Sequence, residues 1–141
     1  MCKNYKFKVE YFDGNDIKAD LFSDEAERVV KCFFKQNVDQ DYKMKKLVKK
    51  LSSTQIRKFY EEVLNLKERI EIGESFRRVL PYFKMLKAKA NVAYQRDVIN
   101  TNFKTFIDKN VDYVGDSEDK FKIFCTFFEA VVAYAKGTIK D

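Results

Sequence analysis

The C-terminal stretch from Ser117 to Gly137 is the feature that most constrains how this chain can fold. Ser117 is typical of a helix N-cap and Gly137 of a C′ position, so a helix ending at Lys136 is predicted between them. Its polar positions form only a narrow stripe: Lys122, Thr126, Glu129 and Lys136. An apolar arc this wide must be covered on more than one side, either centrally in a helical bundle or by a second chain.

Four further helices follow from hydrophobic periodicity. They are expected at about 24–37 with Ser23 as N-cap, from Ser53 through Leu66, over 74–97 with Pro81 inside, and over 98–110. Residues 38–50 fit either a helix or an ordered connector. The chain contains only 4 glycines and 1 proline, which leaves little material for a turn-rich all-β fold. The predicted class is therefore mainly α, a small bundle of about five helices.

The N-terminus carries a different pattern. Tyr5, Phe7, Val9 and Tyr11 alternate with polar residues, and an Asp-Gly-Asn turn follows at 13–15. This period of two allows a short β-hairpin before the first helix. We therefore divide the chain into an N-terminal accessory region, 1–45, and a helical core, 46–141.

The length of the chain, its lack of long apolar segments and the spacing of its cysteines limit the class of protein it can be. A chain of 141 residues is one ordinary domain. No apolar run approaches the roughly 18 residues of a membrane span, and the N-terminus lacks the apolar segment of a secretory signal. Cys2, Cys32 and Cys125 are odd in number and lack CxxC spacing, so they are interpreted as free thiols. The expected location is the cytoplasm.

Positive charge is concentrated in two acid-free blocks. Residues 43–58 hold seven basic side chains, and residues 77–96 hold six. The formal net charge is only +6, so the remainder of the chain is acidic. This asymmetry favours a polyanionic partner on one surface, although solvation of helix faces is the ordinary role of any single lysine. From charge alone, Arg96, Lys49 and Lys50 are candidate phosphate contacts.

The helix that follows Leu51 has a recognisable start. Ser52 and Gln55 have the spacing of a capping box. One face of this helix is apolar and is expected in the core: Ile56, Phe59, Tyr60, Val63 and Leu66. Further along, Glu61 and Glu62 lie four residues after Arg57 and Lys58 and can partly neutralise them. Polyanion contact is therefore expected at the helix start, where free amides also attract phosphate.

Catalytic chemistry finds little support in the sequence. The chain contains 0 histidines, so the side chain best suited to proton transfer near neutrality is absent. Three scattered cysteines do not make a zinc site, and no phosphate-binding loop or nucleophile elbow occurs. We expect no catalytic residue, no metal and no cofactor.

Three motifs in series carry a family resemblance. The segments 51–58 (LSSTQIRK), 86–95 (LKAKANVAYQ) and 127–134 (FFEAVVAY) resemble those of the small subunit of type III-A CRISPR effector complexes, the Csm complex. The resemblance implies a non-enzymatic, mainly α-helical subunit. Its copies would stack along the crRNA-bearing filament with the other Csm subunits and line the channel for target RNA. It makes Gln55, Arg57, Lys58, Lys87 and Lys89 candidate contacts to RNA.

Two other interpretations remain open at this point. In a small DNA-binding regulator, 53–66 would serve as a recognition helix, although 43–50 is not a clean partner helix. In a protein-interaction bundle, no nucleic acid would bind at all. The wide apolar arc of the last helix also predicts self-association of the isolated protein.

Overall fold

The computed structural model describes residues 8–34 and 51–138. Within them a hairpin of β1 (Phe12–Asp13) and β2 (Asp16–Ile17) leads through a π-helical turn, Leu21–Glu25, into the helices. The helices are α1 (Ala26–Phe34), α2 (Ser53–Glu71), α3 (Phe76–Lys84), α4 (Leu86–Gln95), α5 (Thr101–Val114) and α6 (Glu118–Thr138). Only Met85 separates α3 from α4, and together they form one interrupted helix. The predicted mainly α bundle of about five helices with an N-terminal hairpin is confirmed.

Helix α6 lies at the centre of the bundle. It packs against α1, α2, α5 and the π-helical turn. Its buried side chains lie on a face that spans a little less than half of its circumference: Phe121, Phe124, Cys125, Phe127, Phe128, Val131 and Ala135. Partly buried apolar side chains flank this face and pack against the same core: Ile123, Ala130, Val132 and Tyr134. The predicted polar stripe, which includes Glu129, is exposed. The wide apolar arc is thus covered from within the chain, and it no longer gives a reason to expect self-association.

Phe106 on α5 is at the middle of an aromatic cluster. Its ring is 0% exposed. Among the described residues, five other rings lie with their centroids 5.3 to 6.3 Å from it: Phe33, Phe103, Phe124, Phe127 and Phe128. Edge-to-face and tilted pairs at such distances add to the free energy of burial. The cluster joins α1, α5 and α6 into one core.

The residues before the hairpin are tied to α5 by hydrogen bonds. The buried Tyr11 hydroxyl donates to Asn110 Oδ1 at 2.7 Å, and Asn110 Nδ2 donates to the Phe106 carbonyl at 2.8 Å. The Tyr11 amide donates to the Tyr113 hydroxyl at 3.2 Å, which in turn donates to Glu10 Oε1 at 2.6 Å. The buried Tyr11 hydroxyl and the buried Asn110 amide thus both have hydrogen-bond partners, as buried polar groups generally do.

The predicted hairpin is confirmed, with two residues in each strand. Tyr5 and Phe7, where the predicted alternation begins, lie outside the described residues. Phe12 pairs with Ile17 across a tight turn in which Gly14 has φ 67°, a conformation that favours glycine. The second strand stops early because Leu21 opens the π-helical turn and buries its side chain in the core.

The capping roles predicted for Ser23 and Gly137 are wrong. Ser23 does not cap a helix, because it lies inside the π-helical turn and its hydroxyl donates to the Asp20 carbonyl at 3.4 Å. Gly137 is not a C′ residue, because α6 continues through it to Thr138. At the other end of α6 the prediction is confirmed: Ser117 Oγ accepts from the Lys120 amide at 3.1 Å.

The cysteines divide into two kinds. Cys125 is a buried free thiol, and its burial raises the pKa to about 12. Cys32 is disulfide-bonded. The prediction of free thiols is therefore confirmed at Cys125 and wrong at Cys32, because spacing along the chain does not show which cysteines a fold brings together. Cys2 lies outside the described residues.

The proposed division of the chain at residue 45 stays a prediction, since 35–50 lie outside the described residues. On either side of that gap, the described segments contribute to one hydrophobic cluster. Tyr11, Val29 and Phe33 belong to it together with Phe59 and Phe128.

Truncation of the central ring should be strongly destabilising. Phe106→Ala is expected to lower the free energy of unfolding by about 3–5 kcal/mol, since it removes a fully buried ring and leaves a cavity. Urea denaturation followed by circular dichroism measures this. Ile72→Ala, at a side chain 83% exposed, is the control and should change stability by less than about 0.5 kcal/mol. A similar loss in both variants would contradict the central place of Phe106.

The tie at Glu10 should make stability depend on pH. The hydrogen bond from Tyr113, with that from the Phe12 amide, lowers the pKa of Glu10 from its ordinary value of 4.5. A carboxyl whose pKa is lower in the folded state than in the unfolded state stabilises the folded state at pH values above its unfolded-state pKa. This stabilisation is lost as the pH falls below about 4.5. In Glu10→Gln the free energy of unfolding, measured by denaturation over a series of pH values, should therefore decrease less steeply toward low pH than in the wild type. Tyr113→Phe should have the same effect. Glu68→Gln, at an exposed site on α2, is the control, and an equal flattening there would contradict the assignment.

Candidate nucleic-acid interface

A groove lies where the start of α2 faces α4. Its cavity volume is about 360 Å³. The lining residues come from both acid-free blocks and from the segment that follows α4: Gln55, Lys58, Met85, Ala88, Lys89, Val92, Ala93, Arg96 and Val98. Three of these side chains are cations and none is a carboxylate. The two basic blocks, separate in the sequence, thus meet in space at this groove.

The start of α2 places Gln55 and Lys58 in the groove. As predicted, Ser52 is the N-cap, and its hydroxyl accepts from the Gln55 amide at 3.2 Å. Ile56 and Phe59 are buried, so the side chains between them turn outward. The first turn contains no acid, and the helix N-terminus itself favours anions nearby. Gln55 and Lys58 therefore lie together in a positive environment.

The α3–α4 region supplies the other wall. Met85, Lys89, Val92 and Arg96 follow one another at spacings of four, three and four residues, which places them on one helix face. Leu86 and neighbouring apolar residues are buried on the opposite side. Sequence reasoning missed the apolar part of this face, although its helical spacing could have revealed it.

The cations of the groove differ in whether a carboxylate pairs with them. Lys89 Nζ forms an ion pair with Glu62 Oε2 at 2.8 Å. Lys58 and Arg96 form no ion pair with another residue in the part of the chain that the structure describes. Glu62 had been expected to neutralise Lys58 within α2, and it reaches across to α4 instead. Two cations of the groove are thus available and the third is held by a carboxylate.

The remaining candidates lie elsewhere. Lys87 does not line the groove, because its Nζ bonds to Asp112 Oδ1 on α5 at 2.7 Å, and this bond raises the pKa of Lys87. Arg57 is exposed on α2 beside the groove without lining it. Lys49 and Lys50 lie outside the described residues. Of the eight candidates, the structure brings together Gln55, Lys58, Lys89 and Arg96.

Two further searches concern only residues 8–34 and 51–138. No group of three or more histidine, cysteine or acidic side chains is placed there to hold a metal ion. No helix there has both the length and the apolar character that crossing a membrane requires.

The fold and the groove define a small, mainly α-helical protein with a cation-lined surface groove. A family model described as Csm2 Type III-A matches this chain over residues 23–140, and the chain belongs to that family. It is the family of the small structural subunit of the type III-A Csm complex. The resemblance of the three motifs is thereby confirmed. Comparison with curated proteins and with solved structures gives no match.

Release of Lys89 from Glu62 should increase binding of polyanions. Glu62→Gln keeps the shape of the side chain but removes the charge that holds Lys89. One additional phosphate contact would raise affinity for single-stranded RNA about fivefold at about 0.1 M salt and steepen the salt dependence by about 0.7. Fluorescence anisotropy with labelled RNA measures both quantities.

Glu61→Gln is the matched control, since it makes the same change in net charge one residue away, at an exposed position. It should change the affinity less than about twofold, through the general field alone. Equal gains in the two variants would mean that net charge, and not the freed Lys89, causes the effect.

Proposed function

We propose that this protein is a non-catalytic small subunit of a type III-A CRISPR RNA-guided interference complex that acts in antiviral defence in the cytoplasm. It lines the filament beside other Csm subunits and stacked copies of itself. The groove cations Lys58 and Arg96 contact the backbone of target RNA and crRNA, while Lys89 beside them is held by Glu62. The observation that carries the proposal is that two separate acid-free blocks converge on one groove, which no carboxylate lines among the residues that the structure describes.

Such a groove suits a subunit that positions RNA without reading its sequence. Contacts to phosphates fix the register and orientation of a strand but carry no base information. In an RNA-guided complex the pairing between guide and target supplies that information. The protein then needs only cations at the right places. It requires no metal, cofactor or catalytic residue, which agrees with the absence of histidine from the sequence.

The test removes Lys58 and Arg96, the two groove cations that form no ion pair within residues 8–34 and 51–138. Lys58→Ala with Arg96→Ala should lower affinity of the full-length chain for single-stranded RNA about 25-fold at about 0.1 M salt and reduce the salt slope by about 1.4. Target-RNA binding by the assembled complex should weaken in the same direction. Anisotropy over a series of salt concentrations gives affinity and slope together.

Arg77→Ala with Lys109→Ala is the matched control, because it also removes one arginine and one lysine. Both side chains are exposed, and neither lines the groove. The proposal fails if this control weakens binding as much as the groove variant does. As a finer check, Lys58→Ala should cost more affinity than Arg57→Ala, since only Lys58 lines the groove.

The same assay addresses the alternative of a small DNA-binding regulator. Tighter binding of duplex DNA than of single-stranded RNA by the wild-type chain would favour that alternative. Preference for single-stranded RNA favours the subunit of the CRISPR complex.

A further inference from the structure

The groove has an apolar surface that phosphate contacts do not explain. The side chains of Met85 and Val92 are 51% and 55% exposed. They lie in one lining with Ala88, Ala93 and Val98, between the cations of α2 and Arg96. A contiguous exposed apolar patch rimmed by polar groups marks a binding surface more often than scattered apolar residues do. The ligand of this groove should therefore have both an apolar face and negative charge.

We propose that the groove seats one unstacked nucleotide of single-stranded RNA, with its base against Met85 and Val92 and its phosphates beside Lys58 and Arg96. This inference rests on the proposed function and adds to it the form of RNA that the groove accepts. A nucleobase has two apolar faces and a polar edge, and its backbone carries the charge. These are the properties that the two parts of the lining complement.

The polar lining fits the same ligand. Gln55 carries an amide that both donates and accepts, as the edge of an unpaired base requires. Every charged side chain of the lining is a cation, which complements a phosphate on either side of the base. Protein sites that read single strands commonly combine such a positive track with surfaces on which bases rest.

The size of the groove argues against a peptide helix. Its volume of about 360 Å³ lies near the lower end of the range of about 300–1,000 Å³ that is usual for small-ligand sites. A docked amphipathic helix needs a long groove that accepts anchors over two turns or more. A single nucleotide needs no such length. A duplex would not fit in this way, because its bases are stacked and paired and their faces are covered.

The test makes the apolar surface polar without changing its shape. Met85→Gln with Val92→Thr should weaken binding of a short single-stranded RNA of mixed adenosine and uridine by about fivefold to tenfold. The salt slope should stay as in the wild type, because apolar contacts release no counterions. Ile17→Thr with Ile72→Thr changes two exposed apolar side chains outside the groove and is the matched control. It should bind as the wild type does.

A fully abasic RNA of the same length separates base contacts from backbone contacts. The wild-type chain should bind it more weakly than the ordinary RNA, and Met85→Gln with Val92→Thr should cause no further loss on it. Methyl NMR of the full-length wild-type chain gives an independent readout. The Met85 and Val92 methyl signals should shift upfield under the ring current of a base and should not do so with abasic RNA or inorganic phosphate.

The outcomes separate this inference from the proposed function. If Lys58→Ala with Arg96→Ala weakens RNA binding while Met85→Gln with Val92→Thr does not, the groove does not bind an unstacked base. The proposed function as an RNA-contacting subunit then still stands. The proposal of a bound unstacked nucleotide would also be overturned if Met85→Gln with Val92→Thr lowered the affinity for ordinary and abasic RNA equally. Methyl signals that do not shift would overturn it as well. If neither variant affects RNA binding, the proposed function itself fails.

Discussion

Burial of α6 is the constraint on which the rest of the structure depends. Its apolar arc is too wide for one neighbour, so α1, α2 and α5 must all pack around it. Each of these helices then uses one face for the core. The aromatic cluster around Phe106 joins three elements through ring contacts and leaves little freedom in how they are arranged. The surfaces left for binding are therefore the outer faces of the surrounding helices, the hairpin and the polar stripe of α6.

The groove follows from that arrangement. With α2 held to α6 by Ile56 and Phe59, the first turn of α2 presents Gln55 and Lys58 at the surface opposite α4. The Glu62–Lys89 pair crosses from α2 to α4. Both side chains are more than 40% exposed, and exposed pairs contribute only about 0–1 kcal/mol to stability. The more important effect of this pair is on the charge of the groove, where it holds one of three cations.

Much of the fold could be predicted from the sequence, because periodicity reports which face of a helix is buried. The apolar stripe from Ile56 to Leu66 and the cap at Ser52 are found as predicted. Local signals failed where tertiary packing decided the result. Ser23 has cap chemistry, yet burial of Leu21 starts the helical region earlier, and Gly137 continues a helix that it was expected to end.

The site was harder to predict because periodicity does not show which neighbour a side chain meets. Lys87 and Lys89 belong to one motif, but side chains two positions apart in a helix point about 200° away from each other around the helix axis. Lys87 therefore reaches Asp112 on α5, and Lys89 lies in the groove beside Glu62. Both acids are remote in the sequence from the lysine that they bind. Net charge by segment, which treats the two lysines alike, cannot distinguish them.

A subunit that does not read sequence must still distinguish the physical form of the nucleic acid it meets. Cations alone distinguish single strands from duplexes poorly, because both forms present phosphates. An apolar surface beside the cations does, because only an unpaired base can cover it. In the proposed function, Lys58 and Arg96 would provide attraction and Met85 and Val92 would provide the preference for single strands. The exposure of these two apolar side chains then has a physical purpose in a groove whose charges would otherwise bind any polyanion.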